Sequence, residues 1–546
     1  MTDTGPGASG DPGSPGAPGR RAFLRAAGAV SGLAALSSAA LSSGTLSACS
    51  RTVSQTGKAT AATPGTSSTA TAADWSALAQ DLSGSLVRPG ASTYATDLRL
   101  FDPRFDGLRP AGVAYCHSAH DVATCLNFAR RYGVPVAPRC GGHSYAGYSS
   151  GTGLVVDVTS MSSVQVDSGS GTATVGAGTR LIDVYNGLAA HDRAVPGGSC
   201  PTVGISGLTL GGGVGVVARA YGLTSDNLTQ AQVVTADGQI RTCDPDRDPD
   251  LFWACRGGGG GNFGVATSFT FTTHPISGIV LFFLSWPWSL ADRVMAAWQS
   301  WAPQGPDQLW SNLHLSATAG ASTPTIQVGG TCLGSVTDAA SELNKLYGAV
   351  GTQPSSHFLE DTSYLHAMLV EAGCTTLSVE ACHLPGQTPE GQLSRQAQYS
   401  KSDFFDHKLS STAIGALLSG VEKLLRSGPA ENGTGGVAFD SLGGAVNRVS
   451  PGATAFVHRD GLFLAQYTTD WPSGAPAAAV SRQRAWLQSF YGTAHRYASG
   501  QAYQNYIDPS LTNWKQAYYG ANYSRLAQVK GRYDPGRLFR FAQAIG

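Results

Sequence analysis

The chain has 546 residues, of which 42% are hydrophobic, enough to bury a sizeable core in two or more units. Lys plus Arg number 36 and Asp plus Glu also 36, for a net charge of zero. That balance gives no basic field for nucleic acid and no acidic one for cations, which leaves small molecules as the expected partners.

About the first seventy residues are dominated by Gly, Pro, Ser, Ala and Thr with almost no aromatic side chains, a composition that does not form a packed fold. Within them, "GRRAFLRAAGAVSGLAALSSAALSSGTLSAC" pairs Arg20 with Arg21, follows with Phe23 and Leu24, and then runs weakly apolar and free of charge after Arg25. This resembles a bacterial twin-arginine export signal. The run is too rich in Ser and Gly for a spanning helix, and nothing downstream approaches about twenty apolar residues in a row. "LSAC" (46–49) resembles a lipoprotein box, which would make Cys49 a lipid-anchored first residue. The expectation is a signal over 1–49, a flexible linker over 50–75, and a protein secreted or lipid-anchored on the outer face of the membrane. Twin-arginine export carries folded proteins, which points to a cofactor loaded beforehand.

From about Gly107 the pattern alternates. "AGVAYC" reads as a strand, and "SAHDVATCLNFARRYG" as a helix with Val122, Cys125, Leu126 and Ala129 on one face and a capping box from Ser118 and Asp121. "GVPVAP" is a second strand, and a glycine turn follows at Gly141 and Gly142. A β-α-β unit ending in such a loop can turn backbone N–H groups toward phosphate. Strands "TGLVVDV", "VQVDS" and "TATVGAG" come next, then the helix "TRLIDVYNGLAAH" and two more glycine clusters at 197–215 and 256–271. Ordering each glycine costs entropy, so three such loops imply a backbone wrapped closely around something large and flat. None ends in GK[ST], and none is a clean GxGxxG opening a helix after a first strand, so a Rossmann nicotinamide site fits poorly.

After about residue 275, strands such as "VLFFLSWPW", "LWSNLHLSA", "TIQVGGTC" and "GLFLAQYTTDW" alternate with helices such as "DAASELNKLYGAV" and "SRQRAWLQSFYGTAH". This predicts an antiparallel sheet covered by helices, a second domain of α+β type. Ten cysteines with no CxxC pair and no regular spacing give no zinc site and no metal ligand set. In an exported protein Cys374 and Cys382 are the candidate disulfide.

Four stretches, "RCGGHSYAGYS", "GGSCPTVGISGLTLGGGVGVVARAYGLTSDNL", "DLFWACRGGGGGNFGVATSFTF" and "NYSRLAQVKGRYDPGRLFRFAQAI", occur in order from about residue 76 to the end. Together they resemble the berberine-bridge-enzyme-like family of FAD-linked oxidases, with the vanillyl-alcohol-oxidase type of fold. The resemblance implies a PCMH-type, two-subdomain FAD-binding domain (76–275), a substrate domain (276–497) and a C-terminal segment (498–546) that returns to the FAD domain. It implies FAD held by two covalent bonds, from His143 to the 8α-methyl and from Cys200 to ring carbon 6. It places Arg139, Cys140, Gly141, Gly142, Ser144, Gly147 and Tyr148 at the cofactor from the first motif. The second and third add Val203, Gly204, Gly207, Gly211, Gly212, Gly215, Asn262, Gly264 and Val265, and the C-terminal segment adds Asn505. A tethered flavin needs no closed pocket, so an open groove can admit a bulky substrate.

The resemblance also implies oxidation of an alcohol, which needs a base for the hydroxyl proton. "AYQNYIDP" offers Tyr506 for this role and Tyr503 as a second candidate, with Tyr145, Gln466 and Asp440 as lesser ones. A free tyrosine ionises near pH ~10, so a tyrosine base needs nearby positive charge or hydrogen bonds to its phenolate. Gln466 stands where the alkaloid-cyclising members carry glutamate, which argues against ring closure and for sugar or glycoside substrates. Val203 stands where valine accompanies rapid reaction with oxygen. The expectation is an oxidase of a sugar, oligosaccharide or glycoside hydroxyl that makes hydrogen peroxide. The alternatives are a dehydrogenase with another acceptor, an oxidase of a non-sugar metabolite, or a non-catalytic binding lipoprotein. The sequence is silent on oligomeric state.

Overall fold

The computed structural model describes residues 69–426 and 433–546; the expected signal and Cys49 lie outside them. The first described helix, α1 (Ala72–Asp81), opens on a capping box in which Thr71 and Asp74 satisfy each other's backbone N–H. It therefore takes up the end of the stretch expected to be linker.

The β-α-β reading holds. Strands β1 (Ser85–Val87), β2 (Gly112–Tyr115), β3 (Val136–Arg139) and β4 (Leu154–Asp157) form a sheet in the order β1-β2-β4-β3, parallel except at β1. Helix α2 (Ala119–Tyr132) crosses between β2 and β3, buries Val122, Cys125, Leu126 and Ala129 as its spacing predicts, and ends at Gly133 in the left-handed region. Its expected capping box is only half made. Ser118 accepts from the Asp121 N–H, but the Asp121 carboxylate turns outward to the backbone N–H groups of Ser83, Gly84 and His117.

A second sheet, entirely antiparallel, contains β5 (Val164–Asp167), β6 (Thr172–Gly176), β7 (Leu228–Val234), β8 (Ile240–Cys243) and β9 (Val265–Thr272) in the order β5-β6-β9-β7-β8. Helix α3 (Leu181–Ala189) connects within this half.

The third sheet has seven antiparallel strands: β10 (Ile279–Trp286), β11 (Leu309–Thr318), β12 (Thr325–Cys332), β13 (Ser356–Thr362), β14 (Ala397–Phe405), β15 (Thr434–Ser441) and β16 (Phe463–Trp471), ordered β13-β10-β12-β11-β15-β16-β14. Because successive side chains on a strand point to opposite faces, the sheet has two chemistries. Leu313, Leu315, Val437, Phe439, Ala465 and Tyr467 pack in the core formed with helices α4 (Ala291–Trp301), α5 (Val336–Val350), α6 (Ser411–Leu425) and α7 (Ala477–Ala494). The alternate residues Asn312, His314, Ser316, Asp440, Gln466 and Thr468 face a cavity instead.

Two buried cations tie separate parts of the chain together. Arg219, 1% exposed, donates to the carbonyls of Leu309, Pro303, Gly305 and Leu442 in the half that carries the third sheet. Lys530, on α8 (Tyr523–Tyr533), donates to the Asn262 carbonyl at 2.6 Å and so returns the C-terminal segment to the third glycine loop. Cys374 and Cys382 form the expected disulfide, with Cα atoms 5.8 Å apart. Among the described residues no helix is long and apolar enough to cross a membrane, and no group of three metal-ligating side chains occurs. The architecture is the α+β one expected.

Candidate active site

A cavity of about 2050 Å³ lies between the glycine loops and the polar face of the third sheet. Its floor begins at the end of β3, where buried Arg139 forms an ion pair with Asp157 at the end of β4. The chain then turns through Gly141. A Cβ there would stand 2.8 Å from the Thr202 carbonyl oxygen and clash with Gly204 as well, so only glycine lets the first and second loops touch.

That contact brings the two expected flavin attachment residues to one cavity wall. His143 stacks on Phe101 with ring centroids 4.0 Å apart, and its Nε2 lies 2.8 Å from Thr202 Oγ1, two residues beyond Cys200. Burial, with the Arg180 charge second, pushes His143 down to about 3, so the imidazole is neutral at physiological pH. Cys200 also lines the cavity, with its side chain exposed to that space. Cys140 borders the cavity as a thiol held at about 11, chiefly by burial, and therefore inert.

Most of the other expected cofactor residues line the same space: Arg139, Gly142, Ser144, Tyr148, Val203, Gly204, Gly207, Gly215, Asn262, Gly264, Val265 and Asn505. Gly147, Gly211 and Gly212 do not. They pack against Phe105, the Asn505 carboxamide and Phe456 respectively, so they shape the loops rather than border the cavity. Asn262 and Asn505 spend hydrogen bonds on the protein itself. Asn262 Nδ2 donates to the Gly258 carbonyl and its Oδ1 accepts from the Ile545 N–H, while Asn505 Nδ2 donates to the Leu208 carbonyl.

In the same cavity, Tyr145, Gln466, Tyr506 and Asp440 converge from three separate parts of the chain. Gln466 Nε2 donates to the Tyr145 hydroxyl at 2.7 Å, and the Tyr145 and Tyr506 rings stack at 5.8 Å. The lowering influence expected at Tyr506 is not there. Burial, then Asp440 and the neighbouring tyrosines, push its phenol well above the ordinary value, so it is a protonated donor at neutral pH. Of these four, the group whose proton is in play near neutrality is Asp440, which burial lifts to about 7.

Tyr503 belongs to the scaffold. It is 2% exposed, burial raises it to about 12, and its hydroxyl accepts from the Gly213 N–H at 2.8 Å and from Asn505 Nδ2 at 2.9 Å. Sequence reasoning missed Thr202, Asn312 and His314. His314, half-buried and pushed down by desolvation to about 4, is a neutral hydrogen-bonding group on the cavity face of β11. The alternation in "SNLHLSA" was the available signal.

Residues 110–244 match the FAD binding domain family, and residues 502–546 match the family described as berberine and berberine like. The "Uncharacterized FAD-linked oxidoreductase YgaK" of Bacillus subtilis (strain 168) is 34% identical over 441 residues, covering 80% of this chain and 91% of that protein. The chain belongs to the berberine-bridge-enzyme-like family of FAD-linked oxidoreductases. Of solved structures in this fold, Physcomitrella patens BBE-like 1 is similar with a TM-score of 0.78 and 28% identity, over 86% of this chain and 98% of that one. The xylooligosaccharide oxidase from Myceliophthora thermophila C1, solved with xylobiose, is similar with a TM-score of 0.74 and 27% identity, over 86% and 98%.

The residues present fit FAD. A Cβ added at Gly207 meets nothing within 4 Å and would project into the cavity, so this backbone borders open space of the kind a flat cofactor fills. The protein is an FAD-dependent oxidoreductase.

Proposed function

We propose that this flavoprotein oxidises a hydroxyl group of a sugar, oligosaccharide or glycoside, with FAD held by bonds from both His143 and Cys200, and passes the electrons to oxygen as hydrogen peroxide. The observation that carries the reading is the third sheet's cavity face. Asn312, His314, Ser316, Gln398, Gln466 and Thr468 present neutral donors and acceptors suited to a polyhydroxylated substrate, in the same cavity as His143 and Cys200. The likeness to an oxidase solved with a xylose disaccharide supports the same substrate class.

Bound FAD would supply the two-electron acceptor for hydride leaving the carbinol carbon. Asp440, lifted by burial to about 7, takes the hydroxyl proton. Tyr506 donates a hydrogen bond to the same oxygen, and the Gln466–Tyr145 bond fixes the cavity wall beside it. Val203, which lines the cavity beside the Cys200 loop, favours oxygen over another acceptor. Export by the twin-arginine route and a lipid anchor at Cys49 complete the proposal; Cys49→Ala should release the protein from the membrane fraction.

Oxygen uptake with peroxide detection tests the reaction across mono- and oligosaccharides, glycosylated polyketides and simple alcohols, beside a dye-reduction assay. Peroxide from one sugar class is the expected result. Dye reduction without oxygen uptake would make the protein a dehydrogenase, and ligand binding without flavin reduction would make it a binding protein. For attachment, His143→Ala and Cys200→Ala should each keep yellow cofactor in an acid precipitate, and the double variant should release it.

A further inference from the structure

The Cys200 loop is unusually well fixed for a segment without regular structure. The first two N–H groups of α3, those of Leu181 and Ile182, donate to the Val203 and Pro201 carbonyls at 2.9 and 3.1 Å. The donors that a helix start leaves over thus hold the loop on either side of Thr202. The next turn is held too, with the Ile205 N–H donating to the Thr179 carbonyl at 3.0 Å.

Thr202 is 2% exposed, and the polar partner its hydroxyl has among the described residues is His143 Nε2, at 2.8 Å. The Thr202 carbonyl is a further acceptor beside the ring N–H. On the ring's flat side Phe101 lies nearly parallel, 18° from coplanar. The imidazole is therefore held in position and in orientation, and its engaged nitrogen is Nε2.

We propose that Thr202 is the positioning residue for attachment of the flavin to His143: it accepts the Nε2–H, which leaves the Nδ1 lone pair as the nucleophile. This rests on the bicovalent reading above. In the step, Nδ1 forms a bond to the flavin 8α carbon while that carbon gives up one C–H proton, and the displaced electron pair leaves the ring system reduced by two electrons. The second proton is the imidazole Nε2–H. Dioxygen takes the two electrons and two protons as hydrogen peroxide, which restores the oxidised ring and leaves a neutral, substituted imidazole. Second partners of this kind fix the tautomer of a reacting histidine as they do for metal-binding ones.

The test isolates the histidine bond by working in the Cys200→Ala background and follows flavin in the acid precipitate, together with the mass of the His143 peptide, after FAD and oxygen are added to the full-length apoprotein. Cys200→Ala alone should acquire the FAD mass on His143. Adding Thr202→Val should slow that acquisition roughly tenfold, the effect of one lost hydrogen bond, and adding Thr202→Ser should restore it. If Thr202→Val does not fold, Thr202→Ala removes the hydroxyl without added bulk and reads the same. Attachment at the Cys200→Ala rate in the hydroxyl-free variants overturns the positioning role and leaves the two-bond reading intact. No His143 adduct in Cys200→Ala itself overturns the two-bond reading, and this proposal with it.

Discussion

Asp440 and Tyr506 share one end of the cavity, and their protonation is set by the same burial. An ionised Asp440 makes a tyrosinate beside it still harder to form, so the two cannot both be bases. With Asp440 lifted to about 7, flavin reduction should rise with pH through about 7 and level off above it. Asp440→Asn should abolish that limb and slow reduction by roughly a hundredfold or more. Tyr506→Phe should keep the limb and lose about tenfold, since it removes one hydrogen bond to the substrate. Loss of the limb in Tyr506→Phe with retention in Asp440→Asn would reverse the assignment. Stability gives an independent check. A carboxyl raised on folding from about 3.9 binds its proton more tightly when folded, so its contribution is present at low pH and is lost as pH rises toward 7. Asp440→Asn should accordingly raise the thermal midpoint at pH 8 and leave it unchanged at pH 4. Tyr503→Phe should behave differently from Tyr506→Phe. It strips the Gly213 N–H of its acceptor and should cost about 1–3 kcal/mol of stability, measured by denaturant titration, with little change in the reduction rate of the flavin that remains bound.

At the scale of elements, the residues legible in the sequence are those whose meaning is local. The face of α2, the strand alternation and the first two glycine loops with His143 and Cys200 can be read from a dozen neighbouring residues. What escaped needs register between distant strands. That Asp440 and Gln466 share a face with Asn312 and His314 follows from β11 pairing with β15 and β15 with β16, which no local pattern specifies. Gly147, Gly211 and Gly212 look in sequence like the cavity-lining glycines around them, because a glycine required by a neighbouring ring and one required by a cofactor leave the same letter. The disulfide was legible as a spacing, but its place was not. It cross-links the non-regular segment that leads into β14, and Thr375, Thr376, Gln392 and Arg395 of that segment line the cavity, with Arg395 ion-paired to Asp106 of the FAD domain. Closing so short a loop stabilises by roughly 2–3 kcal/mol in the chain-entropy model. The double variant Cys374→Ala/Cys382→Ala should therefore lower stability by about that amount and expose residues 375–395 to limited proteolysis before the rest of the chain. Cleavage elsewhere first would show that the segment is held by Arg395 and not by the disulfide.

At the scale of the whole molecule, the cavity exists only while the third sheet stays docked on the glycine-loop half, and besides the Arg395–Asp106 ion pair one buried side chain makes four bonds across that contact. Arg219 carries its guanidinium into the interface and donates to four carbonyls, those of Leu309, Pro303, Gly305 and Leu442, none of which is a carboxylate. Burial pulls its pKa down from the ordinary arginine value, yet an arginine remains charged at any physiological pH. The charge is thus neutralised by carbonyl dipoles instead of by an ion pair, so the arrangement works only if each donor reaches its own oxygen. The fork of a guanidinium meets that demand and the three donors of a lysine do not. Arg219→Met keeps much of the volume but leaves the carbonyls without their donor, at a cost of about 3–5 kcal/mol. Arg219→Lys should recover only part of that. In hydrogen exchange, both variants should lose protection first at β11 and around Leu442, on the substrate side of the interface, while β2 and β4 in the FAD domain keep theirs. Flavin held by the two bonds proposed above would stay on the protein as the sheet loosens, so on that proposal the bound-flavin spectrum should persist under denaturant after substrate oxidation has been lost. Simultaneous loss of the two would mean that the halves unfold as one unit and that Arg219 is a core residue, not a dock between domains.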